Sequence, residues 1–189
     1  MPPADIPYIA VIADDDLMRE LKGGSNAALE MLFERYRAAV WQFFRRRLSD
    51  PARAEELAQE VFVVLMRNAA RYEPRASFRS YLFGVAFNLL LAERRKAAGQ
   101  RTEPLDQEPA APVAMSADDN LWIRRALARL DDDDREILLL REYEHLTYQE
   151  IADLYRMPLN TVRTRLFRAR MALKAALVPD APERSATRR

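Results

Sequence analysis

The chain contains no cysteine and a single histidine, His145, in 189 residues. Without thiols there can be no disulfide, thiolate zinc site or cysteine nucleophile. One imidazole likewise excludes a histidine-based metal cluster. Glycine is scarce: the pair Gly23 and Gly24, then Gly84 and Gly99, fit neither of the glycine-rich nucleotide-binding fingerprints. No apolar run approaches the roughly 18 residues that cross a bilayer. The stretch Met1 to Ala13 lacks the basic segment, apolar core and small-residue cleavage site of a secretory signal. Most enzyme mechanisms thereby lose their usual parts. A carboxylate-only site stays open, with nothing pointing to one. The expectation is a cytoplasmic protein with no catalytic residue, metal or cofactor.

What is abundant is helix-forming. Ala, Leu, Arg and Glu dominate, with 49% hydrophobic and 31% charged residues, a globular composition. The length suits one sizeable core or two small ones. A formal net charge of +1 hides a strong pattern. Asp131 to Asp134, Glu136, Glu142, Glu144, Glu150 and Asp153 form an acidic stretch. Arg156, Arg163, Arg165, Arg168, Arg170 and Lys174 follow with no acid among them, and Arg94, Arg95, Lys96 and Arg101 form a second basic cluster. Basic stripes of this kind are what polyanion binding uses.

The apolar periodicity predicts an all-α chain in two small helical domains. From Asn26 to Leu48, residues Leu29, Leu32, Phe33, Tyr36, Val40, Phe43 and Phe44 recur every three or four positions, one face of an amphipathic helix. Asp50 and Pro51 are suited to cap and open the next helix, whose buried face continues through Ala54, Leu57, Val61, Val64 and Leu65. After Glu73 and Pro74 a third helix carries Phe78, Tyr81, Leu82, Val85, Ala86 and Leu89 in register. Between Ala98 and Asp118 the pattern vanishes in a segment rich in Pro and acids, too poor in large apolar groups to offset its ordering entropy. It reads as a flexible tether able to stretch to roughly 65 Å and averaging nearer 25 Å. The resulting division is an arm (1–15), a first domain (16–97), a linker (98–118), a second domain (119–178) and a tail (179–189).

Near the C-terminus, Thr147 and Glu150 make a capping box, in which hydroxyl and carboxylate each satisfy an orphaned backbone amide. A short helix with Ile151, Ala152 and Leu154 on its buried side ends before Pro158, and a new helix starts by Leu159 or Asn160. Two short helices joined so tightly form a helix-turn-helix. At about 100° per residue, Val162, Leu166, Ala169 and Leu173 share one arc. Asn160, Thr161, Arg163, Thr164, Phe167 and Arg168 cover the other, with Arg165 on a flank. Arginines that grip phosphates or guanine edges, beside short polar groups, make this a candidate recognition face.

A helix-turn-helix alone equally suits a repressor or activator. The discriminating runs are Ala54 to Phe62 and Arg71 to Asn88, which resemble the polymerase-binding and −10-recognition segments of extracytoplasmic-function (ECF) sigma factors. Leu146 to Ala152 and Asn160 to Arg170 resemble the −35-binding domain of the same family, in its order and spacing, and together the resemblance covers about Asp16 to Leu177. It implies a sigma factor that directs RNA polymerase to promoters in a stress or envelope response. The partners implied are core polymerase through its beta-prime clamp helices and beta flap, promoter DNA, and an anti-sigma factor. On the second helix, Glu55, Glu56, Gln59, Glu60, Val63 and Met66 are the polymerase-binding candidates, with Phe62 either beside them or covered by a neighbouring helix. For the −10 element the candidates are Tyr72, Arg75, Ser77, Arg79, Asn88, Arg94 and Arg95, since aromatic and Arg groups suit single-stranded DNA. Core packing is the expected role of Phe78, Tyr81 and Phe83. Asn160 stands where the family often has glycine, and Arg163 and Thr164 where Lys and Ser are usual. With no sensory domain read in the tail, control is expected from outside the chain. The rivals are a conventional helix-turn-helix regulator and a sigma-like decoy that sequesters an anti-sigma factor.

Overall fold

Eight helices account for the computed structural model, which describes residues 12–100 and 119–177. They are α1 (Asp14–Lys22), α2 (Asn26–Arg45), α3 (Pro51–Asn68), α4 (Phe78–Gln100), α5 (Asp119–Ala128), α6 (Asp132–Glu142), α7 (Tyr148–Tyr155) and α8 (Leu159–Leu177). A 3-10 turn, Ala69–Arg71, follows α3, and there is no strand among the described residues. The all-α expectation holds. The arm to residue 11, the linker from 101 to 118 and the tail from 178 lie outside the described residues.

The helix starts follow from local chemistry. Ser25 accepts a hydrogen bond from the Ala28 amide to cap α2. Asp50 accepts from the Ala52 amide ahead of Pro51, which opens α3. Asp131 caps α6, whose first turn carries Asp132, Asp133 and Asp134, where negative charge offsets the partial positive charge of the exposed amides. Between α1 and α2, Gly24 takes φ 93°, a conformation natural only to glycine. It lets the Ser25 amide reach back to the Glu20 carbonyl at 3.1 Å. Helix α4 runs to Gln100, three residues past position 97, with the strong helix formers Ala97 and Ala98 continuing it.

The first core joins α1 to α4. Leu17, Met18, Leu32, Val40, Phe43, Phe44, Leu65, Leu82, Phe83 and Leu90 are all fully buried, and Phe43 meets Phe83 at a ring separation of 5.8 Å. Phe78, Tyr81 and Phe83 pack into the core as expected. The second core gathers Ile137, Leu140, Leu146, Ile151, Val162, Leu166 and Ala169 from α6, α7 and α8.

The two halves also pack on each other. Arg47, at the end of α2, lies buried between Glu136 of α6 and Glu144, with Nε 2.5 Å and Nη1 3.2 Å from their carboxylates. Phe87 of α4 rests on Tyr155 of α7 with ring centroids 5.1 Å apart. The sequence suggested halves joined only by a tether. A polar, partly buried interface joins them as well.

Candidate nucleic-acid and protein-binding faces

The helix-turn-helix forms as its residues require. The Thr147 amide donates to the Glu150 carboxylate at 2.8 Å, and the Glu150 amide donates to the Thr147 hydroxyl at 3.2 Å. At the far end Arg156 adopts the left-handed conformation, φ 52°. The Met157 amide closes back onto the Ala152 carbonyl and the Arg156 amide onto the Asp153 carbonyl, the paired bonds of a Schellman stop. Pro158 then stands just before α8.

Val162, Leu166 and Ala169 anchor α8 in the core, and Leu173 packs against it. The opposite arc presents Asn160, Thr161, Arg163, Thr164, Phe167 and Arg168 to solvent. Phe167 is 65% exposed, the most exposed large apolar side chain described. Arg163 donates to Asn160 Oδ1 at 3.2 Å, and the Thr164 hydroxyl donates to the Asn160 carbonyl at 2.9 Å. Arg168 pairs with no acid among the described residues. Arg165 sits on the flank of this arc. It reaches Asp133 and Asp134 of α6 at 3.1 and 3.3 Å, because its flank position turns it toward that acidic first turn. Arg170 is likewise tied, to Glu142 at 2.7 Å and the Tyr148 hydroxyl at 3.1 Å.

A second face lies on α2 and α3. Phe33 meets Phe62 edge-on with centroids 4.9 Å apart, and the pair separates two adjoining hollows. One is lined by Leu29, Phe33, Phe62, Val63 and Met66. The other is lined by Phe33, Trp41, Glu55, Ala58, Gln59 and Phe62. Phe62 is covered, with α2 as the covering helix, while Val63, Met66, Phe33 and Trp41 keep substantial exposed area. Of the residues expected at this surface, Glu55, Gln59, Val63 and Met66 line it. Glu56 is drawn to Arg53 at 2.6 Å, and Glu60, though exposed, lines neither hollow. Sequence periodicity put Phe33 in the core and overlooked Trp41. The apolar arc of α2 is wider than the surface its neighbours cover, so both spill outward.

The candidates for single-stranded DNA are dispersed. Tyr72 is buried, its ring 5.0 Å from that of Tyr81 and its hydroxyl donating to Asp15 at 2.8 Å. Burial, and then Asp15, push its pKa up. It braces α1, and its ring packs against Tyr81. Arg75 is exposed and pairs with Glu73 at 2.6 Å. Asn88 and Arg95 are exposed on α4, with Arg95 donating to the Leu91 carbonyl at 3.2 Å. Ser77, Arg79 and Arg94 are all engaged by the second half. The Ser77 hydroxyl donates to Glu150 at 2.6 Å, Arg79 Nε to the Glu144 carbonyl at 2.6 Å, and Arg94 to Glu136 at 3.2 Å. Burial raises the Glu150 carboxyl's pKa, but hydrogen bonds from Ser77 and Thr147 outweigh it and hold the group below its ordinary value. No sequence signal pairs these residues, which sit 42 to 73 positions apart.

Known proteins share this arrangement across the chain. Residues 32–100 match the family model "Sigma-70 region 2", and residues 120–173 match "Sigma-70, region 4". The ECF RNA polymerase sigma factor SigC of Mycobacterium tuberculosis is 30% identical over 183 residues, covering 90% of this chain and 97% of the relative. RNA polymerase sigma-H factor of Pseudomonas aeruginosa is 28% identical over 182 residues, covering 88% and 94%. The sigma factor RpoE of Bartonella quintana, solved in complex with the anti-sigma factor NepR, shares the fold with a TM-score of 0.65 at 20% identity, covering 80% of this chain and 98% of that one. With both halves matched in order and a relative aligned over nearly its whole length, the chain belongs to the ECF family of RNA polymerase sigma factors.

Proposed function

We propose that this chain selects promoters for RNA polymerase by holding the enzyme on one face and DNA on another, and catalyses no reaction itself. The observation that carries the reading is the outward arc of α8. A capped, tightly turned helix pair sets Asn160, Thr161, Arg163, Thr164, Phe167 and Arg168 free of the core, in the shape and chemistry of a helix that enters a major groove. We assign this arc to the −35 element. Arg163 and Arg168 contact guanine edges or phosphates, and the Phe167 ring contacts thymine methyls. Arg165 orients α8 through α6.

The hollows on α2 and α3 are the docking surface for core polymerase. Their apolar floor, Phe33, Phe62, Val63 and Met66, and the polar rim of Glu55 and Gln59 suit a partner helix pair such as the beta-prime clamp helices. The second half meets the beta flap. Ser77, Arg79, Asn88, Arg94 and Arg95, with Arg75 in the preceding loop, hold the melted −10 strand. An anti-sigma factor controls the chain, as the anti-sigma complex of the similarly folded Bartonella quintana protein supports.

Co-purification tests the docking surface. Val63→Glu with Met66→Glu puts two carboxylates into an apolar contact, at a cost of about 2 kcal/mol or more. Retention on core polymerase should fall roughly thirtyfold with helicity unchanged. Retention equal to the unaltered chain would remove this surface from the account.

A further inference from the structure

A chain without cysteine leaves its methionines as the side chains most open to a peroxide. Of the seven, Met1 and Met115 lie outside the described residues, Met18 is fully buried and Met157 packs partly covered against the core. Met31, Met66 and Met171 are 41%, 48% and 51% exposed. Their surroundings differ. Met31 lines neither hollow on α2 and α3, and Met171 stands on α8, one turn beyond Phe167. Met66 lines a hollow shared with Leu29, Phe33, Phe62 and Val63, and with the carboxylates of Glu30 and Glu34. Among the described residues, no side chain lining that hollow carries a hydrogen-bond donor once the carboxylates are ionised.

We propose that Met66 is a site of reversible oxidation, and that conversion of its thioether to the sulfoxide releases the chain from core polymerase. The inference rests on the assignment of the hollow to core polymerase in the proposed function. The oxidant is a peroxide. The sulfur lone pair attacks one peroxide oxygen and the O–O bond breaks. The proton left on the transferred oxygen passes to the departing hydroxide, which leaves as water. Sulfur is oxidised by two electrons and the peroxide reduced by two. A flexible apolar group suited to filling an uneven contact thereby becomes a polar one with a strong acceptor oxygen. In the free chain that oxygen keeps its water. Beneath an apolar partner it loses the water, finds no side-chain donor in the hollow and faces the negative charge of Glu30 and Glu34, and an acceptor left unmet is costly. The fold is spared, because the sulfur of Met18 is shut in the core. A dithiol reductant reverses the step: its two thiols become a disulfide, and the sulfoxide oxygen leaves as water.

The test uses the full chain, treated with dilute hydrogen peroxide, mapped by peptide mass spectrometry and passed over core polymerase. Each variant is compared with its own untreated sample. Met66 should gain one oxygen while Met18 stays unmodified. Retention of the unaltered chain should fall roughly tenfold, the size of one unmet polar group in an apolar contact, with helicity unchanged. Retention should return after incubation with the two methionine sulfoxide reductases, one for each sulfur epimer. Met31→Leu with Met171→Leu should respond as the unaltered chain does, whereas Met66→Leu should hold its untreated retention through the treatment. Full oxidation of Met66 with retention unchanged would overturn the proposal. So would an equal loss in Met66→Leu, or a loss of helicity that accompanies release. Untreated Val63→Glu with Met66→Glu keeps the two claims apart. Loss of retention there, beside an oxidised chain that still binds, removes the switch and leaves the docking surface, while full retention there removes both.

Discussion

Removing the Arg47 guanidinium by Arg47→Met separates two accounts of the charged cluster. Its side chain is 1% exposed and lies between carboxylates that are 5% and 1% exposed. Within one rigid fold, deleting the shared cation would leave two buried carboxylates uncompensated, a loss of about 3–5 kcal/mol. For a chain of this size that would lower the melting midpoint by roughly 6–20 °C. Here the carboxylates belong to one half and the arginine to the other, so separation returns Glu136 and Glu144 to water. The penalty cannot exceed the free energy that holds the halves together. The first half should therefore melt within about 4 °C of its unaltered value by calorimetry. Amides in the facing segments, 83–90 on α4 and 137–146 across the end of α6 and the turn that follows it, should exchange about 10- to 100-fold faster, as expected for local opening eased by 1.4–2.8 kcal/mol. A drop of more than about 10 °C with exchange accelerated evenly through both cores would refute the reasoning and make the cluster part of a single cooperative core.

Two further outcomes follow from the local chemistry. Burial, with the hydrogen bond to Asp14 adding to it, pushes the Tyr36 hydroxyl up from 10.0 to about 12. The folded state thus favours its protonated form, so its contribution is complete below pH 10 and disappears as pH rises toward 12. In urea titrations the unaltered chain should lose stability across that window, and Tyr36→Phe should show a shallower loss there. Thr147→Ala removes the hydroxyl half of the capping box and should cost the second half about 1 kcal/mol, read as faster amide exchange at Gln149 and Glu150 with the first half unchanged.

Much of this molecule was legible in its sequence where the cause is local. The Asp50 and Pro51 start of α3, the Thr147 and Glu150 box and the buried arc of α8 depend on neighbours within a turn or two, and each forms as its residues require. Family motifs carried the rest of the fold assignment. What stayed hidden depends on partners far along the chain. Tyr72 looked like a loop aromatic until its hydroxyl met Asp15, 57 positions away. Periodicity places Arg165 on a flank, but its partners Asp133 and Asp134 lie 32 and 31 positions away. Phe33 has core spacing, yet periodicity cannot tell how much of a wide apolar arc the neighbours cover. The cluster of Arg47, Glu136 and Glu144 has no periodic signature, because its members lie 89 and 97 positions apart.

Run-off transcription with purified core polymerase, on a promoter enriched from genomic fragments by the assembled holoenzyme, tests the two-face assignment most directly. The account predicts promoter-specific transcripts with the unaltered chain. Arg163→Ala with Arg168→Ala should lower them by about 10²-fold or more, at about 1–3 kcal/mol per lost contact, while retention on core polymerase persists. Full-strength transcripts from that double variant, or an unaltered chain that binds core polymerase and starts no transcript, would contradict it.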